Sequence, residues 1–139
     1  MPLGTAQSTP AMKRPVITLT AGLHIITAEL AQNDATRQRG LMHRTALAPN
    51  HGMLFVFEHA RQQCMWMRNT LIALSVAFIA DDGRIVNIEQ MQPETQDLHC
   101  SNEAVRYALE MPQGWFAERR IAPGASIKGL PRVHQNQQP

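Results

Sequence analysis

LSVAFIADDGRIVNIEQM, residues 74–91, is the stretch that decides the fold. Two arms rich in β-branched and other apolar residues, Leu74 to Ala80 and Arg84 to Met91, flank Asp81-Asp82-Gly83. An Asp-Gly pair between such arms is the strongest short-range hairpin signal, because the tight turn needs residues that accept a positive φ. An antiparallel strand pair is therefore the anchor from which the rest of the chain is read.

Downstream, Ala104 to Met111 reads as a further strand, followed by a short helical turn around Gly114 to Glu118. Pro123-Gly124 then supplies a turn into a last short strand near Ile127. Upstream, Cys64-Met65-Trp66-Met67 reads as extended up to Asn69-Thr70, and Met53 to Phe57 is an apolar run suited to a strand buried on both faces. Pro49-Asn50-His51-Gly52 carries turn chemistry. Asn33 or Asp34 is placed to cap a short helix running to Leu41-Met42 with one apolar edge. At the start, Val16 to Thr20 and Leu23 to Leu30 form two β-rich arms about Ala21-Gly22.

Short strands at turn-separated intervals predict a mainly β fold of the α+β kind: a curled antiparallel sheet or small barrel with one or two short helices. No internal repeat is found, and 139 residues suit one domain. The expected globular unit is residues 14–131. Residues 1–13 read as a flexible N-terminal segment and 132–139 as a polar, disordered tail.

Charge narrows the partner classes. The formal charge is +2, only 17% of residues are charged, and the cations form no stripe or run, which argues against a nucleic-acid footprint. No apolar stretch reaches the ~20 residues of a membrane span. Gly4-Thr5-Ala6 before Gln7 has the small-residue character of an export cleavage site, so a periplasmic or secreted location is expected. Cys64 and Cys100 fit that compartment as a disulfide pair; the alternative is two buried thiols behaving as small apolar residues.

Four stretches taken together carry a family resemblance: Gln38-Arg39-Gly40-Leu41-Met42-His43-Arg44, Gly52-Met53-Leu54-Phe55-Val56-Phe57, Trp66-Met67-Arg68-Asn69-Thr70 and Leu109-Glu110-Met111-Pro112-Gln113-Gly114-Trp115. In order and spacing they resemble the domain of unknown function 192 family over about residues 15–130. The resemblance implies a small, mostly β domain, often exported, and brings no catalytic residue with it. Two positions depart from the family's habit: Ser75 follows Leu74 where an aspartate is usual, and Arg68 stands where lysine is common.

Within those stretches the chemistry-bearing residues are Arg39, Arg44, Trp66, Arg68, Asn69, Thr70 and Glu110. An aromatic wall beside a few polar groups is typical of a small-molecule site, and arginines suit an anionic or polar ligand. The bland alternative has the arginines capping helix carbonyls and Asn69-Thr70 bracing a loop. Glu110 interrupts an apolar strand pattern. Turned inward it needs a partner, with Arg39, Arg44 or Arg68 the obvious choices, or else serves as a general acid or base; turned outward it is merely solvated.

The leading expectation is thus a periplasmic binding or accessory module with a pocket for a small polar or anionic molecule, or a protein partner, and no cofactor. A hydrolase using Glu110, or Ser75 or Ser101 with His99, is the first alternative, although no zinc pattern, phosphate loop or nucleophile elbow is found. Copper(I) binding is the second, through Cys64, Met65, Met67, His99 and Cys100 with Met42, Met53 and Met91 nearby. Against it, alternating methionines in a strand are commonly core filler, and a disulfide would remove both thiolates. A purely structural role in a complex would require a large exposed apolar patch.

Overall fold

The computed structural model describes residues 15–132. Its elements are β1 (Val16–Ala21), β2 (His24–Ala31), α1 (Asp34–Arg39), β3 (His51–Arg61), β4 (Cys64–Met65), β5 (Leu74–Ile79), β6 (Ile85–Met91), β7 (His99–Cys100), β8 (Val105–Pro112), α2 (Trp115–Glu118) and β9 (Ile127–Lys128). The expected segment 1–13 and all but the first residue of the expected tail 132–139 lie outside the described residues.

The 74–91 hairpin forms as its Asp-Gly turn requires, with Leu74 opposite Met91 and Phe78 opposite Asn87. From it a seven-stranded sheet grows in the order β6-β5-β8-β3-β2-β1-β9 and curls into a half-barrel. The curl brings the start of β6 back to the segment before β9. Ile85 N–H donates to the Ala125 carbonyl at 2.8 Å, Ile127 N–H to the Gly83 carbonyl at 2.8 Å, and Arg84 bridges to Ser126. A two-stranded ribbon of β4 and β7 stands apart, its Cys64 directly opposite Cys100.

The mainly β reading holds, with local differences. The pair β2–β3 is parallel, because the excursion through α1 brings the chain back beside Thr27, midway along β2, before β3 begins. The first hairpin turns on Gly22-Leu23 rather than Ala21-Gly22, leaving Leu23 in solvent. His51 and Gly52 belong to β3, so the turn stops at Asn50, and Trp66-Met67 fall outside any strand. Asn33 is the helix cap, its side chain accepting from Thr36 N–H at 2.9 Å while Thr36 reaches back to Asn33 N–H. The helix ends at Arg39, one residue before Gly40, so Leu41 and Met42 anchor the following loop instead of the helix itself.

Both faces of the central strands are covered. Leu54, Ala77, Leu109 and Met111 point into the curl with Ile26, Trp115 and Phe116. Met53, Phe55, Val76, Phe78 and Ala108 point the other way, where Leu41, Met67 and the partly buried Leu47, Met65 and Ile72 roof them. That second core is closed by loops and not by a helix, which is why it admits a cleft.

Gly52 shows how tightly β3 lies on β8. A Cβ there would overlap the Glu110 carbonyl oxygen and the Met111 sulfur. The carbonyl belongs to a paired strand and cannot swing away, so Gly52→Ala should destabilise by about 1–3 kcal/mol, as overpacking does in a filled core. A shift of the urea midpoint within error of wild type would contradict this placement.

Candidate functional site

The loop-covered face holds a cleft of about 440 Å³, and each stretch that carries the family resemblance contributes to its lining. Arg39, Gly40, Leu41 and Met42 come from the end of α1 and the loop beyond it; Phe57 comes from β3. Met65, Trp66, Arg68 and Thr70 come from β4 and the loop after it, and Glu110 from the middle of β8. Arg37, Gln38, Gln63 and Cys64 complete the lining.

The α1 end is shaped by Gly40. Its φ of 50° and the Phe55 ring, 3.2 Å from where a Cβ would sit, suit glycine alone. The chain then turns sharply, and Leu41 enters the second core while Arg39 stays at the cleft's edge. On the opposite side Asn69 adopts a left-handed φ of 55°. Its carbonyl accepts from His43 N–H at 2.8 Å, tying the two loops together. Met67 N–H bonds the Thr95 carbonyl at 3.1 Å and Glu94 N–H bonds the Thr70 carbonyl at 2.9 Å. The 66–70 loop is thus braced by its backbone more than by the Asn and Thr side chains.

Glu110 sits in the cleft with only 4% of its surface exposed. Its strand neighbours on the same face are Met53 of β3 and Val76 of β5, both apolar. Among the described residues no side chain hydrogen-bonds or pairs with its carboxyl. Burial alone, with no compensating cation, pushes its pKa up from 4.5 to about 8, so the group is mostly protonated at neutral pH. The expected arginine partner is therefore not formed. Nor is Glu110 solvated, because the outward face of this sheet is a second core and not bulk water.

The arginines divide into two kinds. Arg44 makes a bidentate pair with Glu29, at 2.9 and 2.7 Å, and lies outside the cleft lining. That bond raises its already high pKa. Arg37 is engaged too, donating to the Val56 carbonyl at 2.7 Å and to Asp34 at 2.8 Å. Arg39 and Arg68 differ: among the described residues neither has an acidic partner. Arg68 rests over the Trp66 ring, 5.7 Å from its centroid, and Trp66 keeps 42% of its surface exposed. Thr70 is buried and its hydroxyl donates to the Arg68 carbonyl at 3.2 Å.

Of the seven residues expected from sequence, Arg39, Trp66, Arg68, Thr70 and Glu110 meet at this cleft, whereas Arg44 and Asn69 serve the loops around it. Phe57, Leu41 and Met42 were legible in the same stretches but read there as core. Gln63 and Arg37 carried no signal in sequence, since their place depends on the β4–β7 ribbon and on how α1 lies over β3.

Of the other constellations the Ser-His pairs do not form, whereas the sulfur-histidine set comes together in part, with Met65 opposite His99 in the β4–β7 ribbon. Ser75 donates to Gln90 at 2.6 Å and accepts from Gly114 N–H at 2.9 Å, an arrangement that fixes the turn into α2. Ser101 accepts from Gln63 N–H and donates to the Glu103 carbonyl. Neither hydroxyl is bonded to His99, which lies 3.8 Å from Glu89. Cys64 and Cys100 form a disulfide, so neither offers a thiolate. Met53, Met67 and Met91 are fully buried in the second core as apolar filler. A larger hollow of about 540 Å³ lies beside the β1–β2 turn, but its charged couple Glu118 and Arg119 is already paired at 3.6 Å. Among the described residues no helix is long and apolar enough to cross a membrane.

Two solved structures share this architecture. One is a candidate transcription regulator from Sinorhizobium meliloti 1021, 36% identical, with a TM-score of 0.79 over 88% of this chain and 98% of that one. The other is a protein of unknown function from Novosphingobium aromaticivorans DSM 12444, 29% identical, with a TM-score of 0.81 over 91% of this chain and 99% of that one. No curated protein matches the chain. Residues 16–129 match the family DUF192, described as Uncharacterized ACR, and the chain belongs to that family.

Proposed function

We propose that this protein is a binding module of the periplasm or extracellular space whose cleft takes a small anionic molecule. The observation that carries the reading is the pair Arg39 and Arg68, which edge the same cleft without an acidic partner among the described residues. A guanidinium forms its strongest bonds with carboxylate or phosphate oxygens, and two of them at one cleft, Arg68 resting over Trp66, give both affinity and orientation. At neutral pH the carboxyl in the cleft is mostly protonated, so it does not neutralise them. The Cys64–Cys100 disulfide suits an oxidising compartment and supports the location.

Removing either arginine should weaken an anionic probe without harming the fold. Arg39→Ala and Arg68→Ala are each expected to reduce affinity for benzoate or inorganic phosphate about tenfold, the loss of one charge-assisted bond. Stability should stay within ~0.5 kcal/mol of wild type, as for surface positions. NMR titration read at the Trp66 indole N–H measures the affinity, with the Trp115 indole, bonded to Asn50 at 2.9 Å, as an internal control, and urea unfolding measures the stability. Unchanged affinity in both variants would remove the arginines from the site.

The Sinorhizobium neighbour's description raises nucleic acid as a partner. The chain's net charge of only +2 favours a small anion over a polyanion. A hydrolase reading has one observation in its favour, the raised pKa of Glu110. The Thr70 hydroxyl in the same lining donates to the Arg68 carbonyl.

A further inference from the structure

We infer that the cleft's ligand is an organic monocarboxylate with an apolar body, and that Glu110 recognises it by donating its own carboxyl proton to the ligand's carboxylate. This rests on the anionic-ligand reading above and names the class within it.

Three features lead there. The Glu110 side chain is more than nine-tenths buried, lines the cleft, and has no protein partner among the described residues. A carboxyl so placed leaves a polar group open to one direction only, that of the cleft. In its protonated form it is a donor, and its best acceptor is an ionised oxygen, since charge-assisted O–H···O⁻ bonds are the short, strong ones. The arginines decide the sign of the ligand. A cation entering here would meet Arg39 and Arg68 with no carboxylate to compensate them, whereas an anion meets two guanidinium groups and an acid proton. The remaining lining decides its body. Leu41, Phe57, Met65 and Trp66 offer apolar and aromatic surface. A bare inorganic oxyanion would leave that surface uncovered, while a carboxylate on a small hydrocarbon or aromatic ring would cover it.

Proton bookkeeping makes the inference testable. The complex needs Glu110 protonated and the ligand ionised, so ionising Glu110 places two like charges in contact. The groups around Glu110 do not obscure this. The charged side chains facing it from the cleft's other walls are Arg37, Arg39 and Arg68, and Met53, Phe55, Val76 and Ala108 on the neighbouring strands carry no ionisable group. Among the described residues Glu110 is the one carboxyl in the cleft's lining, and burial raises its pKa to about 8.

The experiment is a set of NMR titrations of the intact protein with benzoate, inorganic phosphate and benzylamine between pH 6 and 9, repeated on Glu110→Gln. Benzoate keeps one charge over that range. Wild type should bind it about tenfold more weakly at pH 9 than at pH 7, because the competent form is depleted above the carboxyl's pKa. Glu110→Gln keeps a donor that cannot ionise, and its affinity should not vary with pH. Benzoate binding that is equally flat in wild type would overturn this inference and leave the anionic cleft standing. So would binding of phosphate without benzoate. Binding of benzylamine that strengthens with pH, or no binding of either anion at millimolar concentration, would overturn both readings.

Discussion

Between pH 5 and pH 8 the wild-type protein should lose roughly 3–4 kcal/mol of stability that the Glu110→Gln variant keeps. Glu110 lies in the folded protein among Met53, Val76 and Ala108, with its pKa raised from 4.5 to about 8 by burial. In the unfolded chain the same group ionises near its ordinary value. Between those two values the folded state holds a proton that the unfolded state has released, so raising the pH favours unfolding. The penalty is nearly absent below about pH 4.5, grows through the interval, and levels off above about pH 8. This is the reverse of a carboxylate held by a salt bridge, whose stabilisation is lost as the pH falls. Glutamine has the same shape and no titrating proton, so subtracting its profile removes every other group's contribution. Urea unfolding of both proteins at several pH values is the measurement. Parallel profiles would mean that Glu110 ionises freely, and would withdraw the buried-acid geometry on which the ligand class depends.

Opening the Cys64–Cys100 disulfide should cost about 4 kcal/mol, the chain-entropy value for a loop of this span. The bond joins residues 36 apart in sequence and links the two-residue strands β4 and β7. Without it the ribbon retains its backbone ladder, the Gln62 bond to the Ser101 carbonyl at 3.0 Å and the Asn87 bond to the Cys100 carbonyl at 3.2 Å. Those hold the folded geometry but do nothing to restrict the unfolded chain. The double variant Cys64→Ser/Cys100→Ser should therefore unfold at markedly lower urea concentration, and reductant should have no further effect on it. Cys64 also lines the cleft next to Met65 and Trp66. The same variant should accordingly broaden the Trp66 indole resonance while leaving that of Trp115, on the far core, sharp. Equal midpoints with and without the disulfide would show that β4 and β7 are already paired in the unfolded ensemble.

Local chemistry carried much of the fold. The Asp81-Asp82-Gly83 turn, a helix cap at Asn33 or Asp34, the apolar run at Met53–Phe57 and a strand over Ala104 to Met111 each follow from residues within a few positions of one another; each forms, with Asn33 as the cap and the strand at Val105–Pro112. Where local signals failed, a distant contact had the final word. Asn50-His51-Gly52 reads as a turn, yet Gly52 is a strand residue because the Glu110 backbone presses against it and leaves no room for a side chain. Trp66-Met67 reads as a strand, yet Met67 is drawn into the core below while its N–H bonds the Thr95 carbonyl.

The candidate site divides along the same line. Sequence alone determined which residue types the resembling stretches hold, that Cys64 and Cys100 could pair, and that Glu110 would need an explanation. Tertiary structure decided the rest. It gave Arg44 to Glu29, left Arg39 and Arg68 without an acid among the described residues, and brought both to the cleft that Glu110 lines. The reason is the second core: a strand's two-residue alternation says which side a residue faces, but whether that side is water or protein depends on loops 40–47 and 65–72 folding back over the sheet. A carboxyl's pKa depends on that covering far more than on its neighbours in the chain, so the chemistry of Glu110 is fixed by contacts that no local reading contains.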